Sequence, residues 1–349
     1  MKKKIQKLTL TLMAAALLTA CGGGGGSSTA TGPAVVAPLV TASPVNSNIV
    51  VSVVSATYAT ASEEASAWSL LNAERSFCGF GLLSQSLTLD KAAKAHADWQ
   101  IVNNYLSHFE VAAGTVGFTG VSPSDRIVAA AYGPTNSFSS TDETSSNVGI
   151  NSKLGYGNFG MRNLLNAPYH AAALVKGFRD GGLSVRNDTD SSSTFGARLV
   201  LQVNLATRNT DGAQTVDNST VLTYPCEGTV GVNKQLANET PNPVPGRNLA
   251  TNPLGSSVQV LIREGNTLAI TSATMISVAT GASVVLRTPI TAANDPNATA
   301  GVTYLQKNQR FISPDGPLDG NTKYQITVNG TNNGVAFSRT FSFTTGLGG

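Results

Sequence analysis

A change of apolar periodicity part-way along the chain restricts the fold more than any other feature. Residues 60–180 are punctuated as helices, and from about residue 183 the apolar positions recur as they do in strands. Thr60-Ala61-Ser62-Glu63 reads as a capping box ahead of Ala65, Trp68, Leu70 and Leu71, which share one helix face. Residues 89–104 repeat the pattern with Ala92, Ala93, His96, Ala97 and Ile101 and stop at paired asparagines. Ser122-Pro123-Ser124-Asp125 supplies an N-cap, a proline in the first helical position and an acid in the first turn of a third helix, which closes at Gly133. Pro168 opens a fourth helix running to Gly177. Strand-like runs at 183–185, 198–205 and 220–224 predict a small antiparallel sheet after the helices, hence the α+β class.

Pro241-Asn242-Pro243-Val244-Pro245 marks a second hinge. Beyond it, short β-branched or alternating runs at 258–262, 268–270, 283–286, 324–328 and 337–344 are separated by Gly- and Asn-rich turns. One of these turns, at 329–334, stands in a hairpin position. Roughly 100 residues of this kind predict an all-β sandwich. No catalytic constellation is visible in it.

The N-terminus reads as an export signal. Lys2, Lys3, Lys4 and Lys7 precede an apolar run at 8–18 that is too short to span a bilayer comfortably. Leu17-Leu18-Thr19-Ala20-Cys21 resembles a bacterial lipobox, in which Cys21 is acylated and becomes the new N-terminus. The membrane is then a partner through the lipid at Cys21. Residues 21–57 carry a glycine run and no charge, so they read as a tether. Gly22 replaces the Asp that resembles an inner-membrane retention signal, which points to an outer-membrane lipoprotein on the periplasmic or surface face.

Charge narrows the partners. The precursor has 23 Lys+Arg against 20 Asp+Glu, and removing residues 1–20 takes away four Lys, leaving 19 against 20. No basic cluster remains, which argues against a nucleic-acid partner. With Cys21 assigned to lipid, Cys78 and Cys226 form an even pair that reads as a disulfide in an oxidising compartment; two buried thiols are the alternative. The absence of a Cys-x-x-Cys pattern gives no sign of a redox or zinc-cluster site.

Only three histidines occur. His108 follows Asn103-Asn104-Tyr105-Leu106-Ser107 at the exit of one predicted helix, and His170 follows Asn166-Ala167-Pro168-Tyr169 in the first turn of another. Two imidazoles at element edges are candidates for one shared cleft; the plainer reading is two polar edge residues bonded to backbone. His108 and His170 are also the candidate metal ligands, for a divalent cation such as zinc, although two imidazoles hold a metal weakly without a carboxylate. His96 lies on the apolar face with Ala92 and Ala93 and reads as structural. Neither a Gly-x-Ser-x-Gly elbow nor a His-Glu-x-x-His motif is present, so no catalytic residue is assigned.

Residues 60–190 resemble the CAP superfamily of cysteine-rich secretory, antigen 5 and pathogenesis-related class 1 proteins (SCP-like domains). Leu71-Asn72-Ala73-Glu74-Arg75 is followed by Gly79 and Gly81, then Leu89 with Ala92-Ala93-Lys94-Ala95-His96-Ala97. Ser107-His108, Asp125-Arg126, Ala131-Tyr132-Gly133 and Ala167-Pro168-Tyr169-His170 complete the ordered set. The resemblance implies a three-layer α-β-α sandwich with a cleft lined by two histidines and two acids, where some members bind a divalent cation. His108 and His170 fall on the histidine positions. Where the family reads Glu-Asn-Ile or Glu-Asn-Val, this chain reads Ser146-Asn147-Val148, with Glu143 three residues earlier. The cleft candidates are therefore His108, His170, Glu143, Ser146 and Asn147, and no residue matches the second acid. The C-terminal strands resemble a bacterial Ig-like domain.

The expected layout is a signal peptide at 1–20, a tether at 21–57, a CAP-like domain at 58–240 and an Ig-like sandwich at 246–349. The expected function is a non-catalytic module that binds an envelope glycan, lipid or peptide. The alternatives are a metal-assisted hydrolase of peptidoglycan or peptides, and a structural or adhesive surface protein.

Overall fold

The computed structural model describes residues 47–133, 137–145, 155–188, 198–299 and 302–348. The predicted signal peptide, Cys21, Ser146 and Asn147 lie outside them. Five helices are described: α1 (Glu63–Phe77), α2 (Leu87–Val102), α3 (Pro123–Ala129), α4 (Tyr156–Asn166) and α5 (Pro168–Leu174). Alongside them, β1 (Ser84–Gln85), β2 (Ser137–Ser145), β3 (Asp180–Asp188) and β4 (Arg198–Thr207) form a sheet ordered β1-β3-β4-β2. No helix among the described residues is long and apolar enough to cross a membrane.

Local chemistry sets the helix ends. Ser62, not Thr60, caps α1, accepting the Ala65 N–H at 3.0 Å. The Glu63 carboxylate, expected to close a capping box, instead accepts the N–H groups of Gly155 (2.7 Å) and Gly157 (2.6 Å). Those are the first-turn donors of α4, which has no capping side chain of its own. A true capping box forms at Ser122 and Asp125, with Pro123 in the first position of α3. That helix stops at Ala129, short of the expected Gly133, because the chain turns left-handed at Ala131 (φ 63°). Helix α4 was not predicted, since Gly157 and Gly160 dilute its helical pattern. Gly157 is required there: a Cβ would stand 2.1 Å from the Glu63 carbonyl oxygen.

Strand β4 divides the two sides of the first sheet. Leu199, Leu201, Val203 and Leu205 pack with Trp68 and Leu71 of α1, Met161 and Leu164 of α4, and Leu174 of α5. Ala206 turns the other way, onto Leu89 and Ala92 of α2 and Ile127 of α3. The result is three layers, helices on both faces of one sheet.

The remaining strands are β5 (Val221–Tyr224), β6 (Val230–Val232), β7 (Val258–Ile262), β8 (Leu268–Ser277), β9 (Ser283–Val284), β10 (Ile290–Thr291), β11 (Gln309–Ile312), β12 (Lys323–Asn332) and β13 (Val335–Thr345). They make two sheets, β10-β11-β7-β5 and β6-β13-β12-β8-β9. Val258, Val260 and Ile312 of the first share a core with Met275, Ile326 and Phe341 of the second, so the sheets pack as a sandwich. The β12–β13 hairpin closes through Asn333 (φ 50°) and Gly334 (φ 82°), the backbone of a two-residue primed turn.

Two strands sit where the sequence pattern did not place them. The run at 220–224 was expected to extend the sheet of the helical part. Instead β5 pairs antiparallel with β7 (Val221 opposite Ile262), and β6 pairs in parallel with β13. Strand β2 fills the edge beside β4, and β7 and β13 offer unpaired edges that β5 and β6 complete. Tyr224 and Leu261 also belong to the core under α1 and α4. Residues 44–349 accordingly form one compact unit across the proline hinge. Cys78 at the end of α1 is bonded to Cys226 after β5, 148 residues away, which ties the helical layer to the strand crossing into the sandwich.

Candidate functional site

The loop after α2 is positioned by a buried polar hub. His96 projects from α2 with Nδ1 3.0 Å from Glu110 Oε1 and Nε2 2.9 Å from the Ser107 carbonyl. Glu110 also accepts the Thr119 N–H (2.6 Å) and the Gly120 N–H (3.3 Å), while Arg126 Nε of α3 stands 3.8 Å away. Both Glu110 and His96 are about 1 % exposed. Burial alone raises the Glu110 carboxyl, but the bonds from His96 and Thr119 and the Arg126 charge outweigh it and hold the group below the usual carboxylate range. His96 is thus structural, as its place on the apolar face predicted. The hub carries His108, whose carbonyl accepts from Arg126 at 3.0 Å.

His170 stands in the first turn of α5. Ala167, the N-cap residue, has no side chain to offer. The Glu239 carboxylate takes that role from 70 residues downstream, accepting the Tyr169 N–H at 3.2 Å. The same oxygen lies 3.1 Å from His170 Nδ1, with the Glu239 side chain fully buried. An ionised carboxylate only accepts, so this contact puts the proton on Nδ1 and directs Nε2 away from Glu239. The second carboxylate oxygen, Oε2, is buried without a hydrogen-bond partner among the described residues.

The sandwich holds α5 from outside. Gln259 donates to the Pro168 carbonyl (3.0 Å) and Gln309 to the Ala172 carbonyl (2.9 Å). Tyr169 donates to Asp295 at 2.6 Å and packs edge-on against Phe311. Burial, then the Asp295 bond, push that phenol well above its ordinary range.

These supports bring the two imidazoles together: the ring centroids of His108 and His170 are 5.9 Å apart, tilted by 38°. Both rings are only partly buried. Of the other sequence candidates, Glu143 lies in β2 with its backbone opposite Leu201, and its side chain is outside the described residues. Among the described residues no group of three His, Cys, Asp or Glu side chains is arranged to hold a metal ion. Sequence reasoning missed Glu239 altogether, because its role depends on the chain returning to α5 after β6. Glu110 was missed as well, although it follows His108 by two positions.

No family model matches the sequence, and no curated protein matches it. Among solved structures, an outer surface protein from Borrelia burgdorferi is similar over 42 % of this chain and 93 % of its own, at 19 % identity and a TM-score of 0.32. An extracellular protein containing an SCP domain from Bacillus anthracis is similar over 42 % of this chain and 40 % of its own, at 17 % identity and a TM-score of 0.32.

Proposed function

We propose that this chain is an exported, lipid-anchored envelope protein whose CAP-like α-β-α part binds a ligand at His108 and His170. One observation carries the reading: two of only three histidines, one from the loop after α2 and one from the first turn of α5, stand with ring centroids 5.9 Å apart. The His170 ring is bonded to the buried Glu239 carboxylate, and the backbone of the His108 loop is held by the buried hub around Glu110. Two neighbouring, half-buried imidazoles suit recognition of a polar group on an envelope glycan, lipid or peptide. The C-terminal sandwich, read as Ig-like, buttresses the helix that bears His170. Export is supported by the Cys78–Cys226 disulfide, which needs an oxidising compartment, together with the leader and the Cys21 lipobox. By the same reading the anchor lies in the outer membrane.

A zinc-type cation would be held by His108 and by His170, with Glu239 behind the second ring as the outer carboxylate that orients a ligating imidazole. Two imidazoles make half of a tetrahedral set, so such binding is weak and completed by ligand. Hydrolysis would need an activated nucleophile or a metal-bound water. Ser107, the hydroxyl nearest in sequence to His108, is engaged in the turn through the Phe109 N–H at 3.0 Å.

The test uses the full chain with Cys21→Ser, so that it is not acylated, titrated with zinc alone and with muropeptide fragments. Saturable binding that falls at least tenfold in His108→Ala and in His170→Ala supports the reading. Binding that is unchanged in both variants overturns it. Turnover of a fragment, abolished by chelator and by His170→Ala, would replace it with the hydrolase reading.

A further inference from the structure

A pocket of about 250 Å³ opens beyond the C-terminal end of α5, and neither His108 nor His170 lines it. Its walls come from three parts of the chain. Phe80, Val175 and Phe178 belong to the helical part and Leu222 and Leu261 to the sandwich edge, while Ile49 belongs to the end of the expected tether (21–57), which packs on the body from Asn48 onward instead of standing clear of it. All six are apolar, and Phe80, Val175, Phe178 and Leu261 are buried.

The polar groups in the lining are largely committed. Gln214 donates to the Leu82 and Phe178 carbonyls and accepts the Val50 N–H. Asn308 donates to the Ile262 carbonyl, Gln309 to the Ala172 carbonyl, and Arg263 to the Val216 carbonyl. Lys176 is different. It lines the pocket half-buried, and among the described residues its ammonium has no hydrogen bond or close ion pair. Burial holds its pKa below the ordinary lysine range, and the more distant Glu264 charge only partly opposes this. A desolvated cation without an acceptor is costly, and an anionic group supplied by a ligand would offset that cost.

We propose that this pocket binds a small amphipathic monocarboxylate, its apolar tail against Phe80, Phe178 and Leu261 and its carboxylate on Lys176. The size fits a short chain, since drug-sized ligands occupy about 300–1,000 Å³. The charge fits a monoanion: one uncommitted cation faces the cavity, and Glu264 among the lining residues disfavours a phosphate dianion.

The experiment is calorimetric titration of the full Cys21→Ser chain with octanoate, and with octanol as the uncharged comparison. The expected result is one-site octanoate binding, with octanol weaker by roughly tenfold or more. Lys176→Met should weaken octanoate to the octanol level and leave octanol unchanged, which also shows that the variant folds. Ala213→Phe, filling the pocket, should abolish both, and His170→Ala should alter neither. No octanoate binding at millimolar concentration overturns the proposal. So does octanoate affinity unchanged in Lys176→Met, or lost in His170→Ala.

Discussion

Glu110→Ala is the sharpest test of how the His108 loop is held. The substitution strips the acceptor from two backbone donors, the half-buried Thr119 and the buried Gly120. Each such orphan costs about 1–3 kcal/mol. It also leaves Arg126 and the His96 ring, both buried, without their carboxylate. Breaking a buried ion pair from one side costs about 3–5 kcal/mol. These losses share one site and do not add, so we expect about 4–6 kcal/mol, or about 10 °C in Tm for a unit of this size. Glu110→Gln keeps one acceptor oxygen and should lose about half as much. The dependence on pH has a definite sign. Because the folded Glu110 carboxyl lies below its unfolded value, its contribution is complete above about pH 5 and is lost as pH falls through the depressed folded pKa. The gap between wild type and Glu110→Ala should therefore close as the pH falls through the depressed folded pKa. Thermal unfolding across that range gives the first readout. Hydrogen exchange at the Thr119 and Gly120 amides gives the second, and reports a loop that opens without global unfolding. An unchanged Tm together with unchanged protection would refute the hub as the anchor of the loop.

Three further outcomes are expected. Replacing Cys78 and Cys226 with Ser opens a cross-link 148 residues long, which should cost about 5 kcal/mol and lower the urea midpoint. Gly157→Ala drives a Cβ into the Glu63 carbonyl at 2.1 Å, so α4 must shift away from its cap. A loss of about 1–3 kcal/mol in chemical denaturation is expected, and near-neutrality would show that α4 is not seated on α1. Gly334→Val puts a β-branched residue at φ 82° in the β12–β13 turn and should cost about 1–2 kcal/mol in the same assay.

Much of the framework was legible because its signals are local. The cap at Ser122, the proline opening α5, the alternation at 258–262 and the Asn-Gly turn are each written within a few residues. The failures are non-local. Helix α4 borrows its cap from Glu63, 92 residues earlier, so nothing in its own sequence announces it. Strand β2 is a polar run of Ser and Thr that pairs because β4 has a vacant edge. Strands β5 and β6 have strand-like composition, but composition does not name a partner. The candidate site divides the same way: His108 and His170 stood out by rarity and position, whereas Glu239 could be recognised only once the chain had returned to α5.

The parallel pairing of β6 with β13 also has a consequence for the order of assembly. Synthesis delivers Val230–Val232 long before Val335–Thr345, and β5 likewise waits for β7. During that interval β5 and β6 stand without their sheet partners, and such unsatisfied strand edges are the surfaces most open to pairing with another molecule. The lone Cys78 thiol waits for Cys226 over an earlier stretch, which ends before β6 is made. Protection by a chaperone is needed most in that window, which closes when β13 arrives.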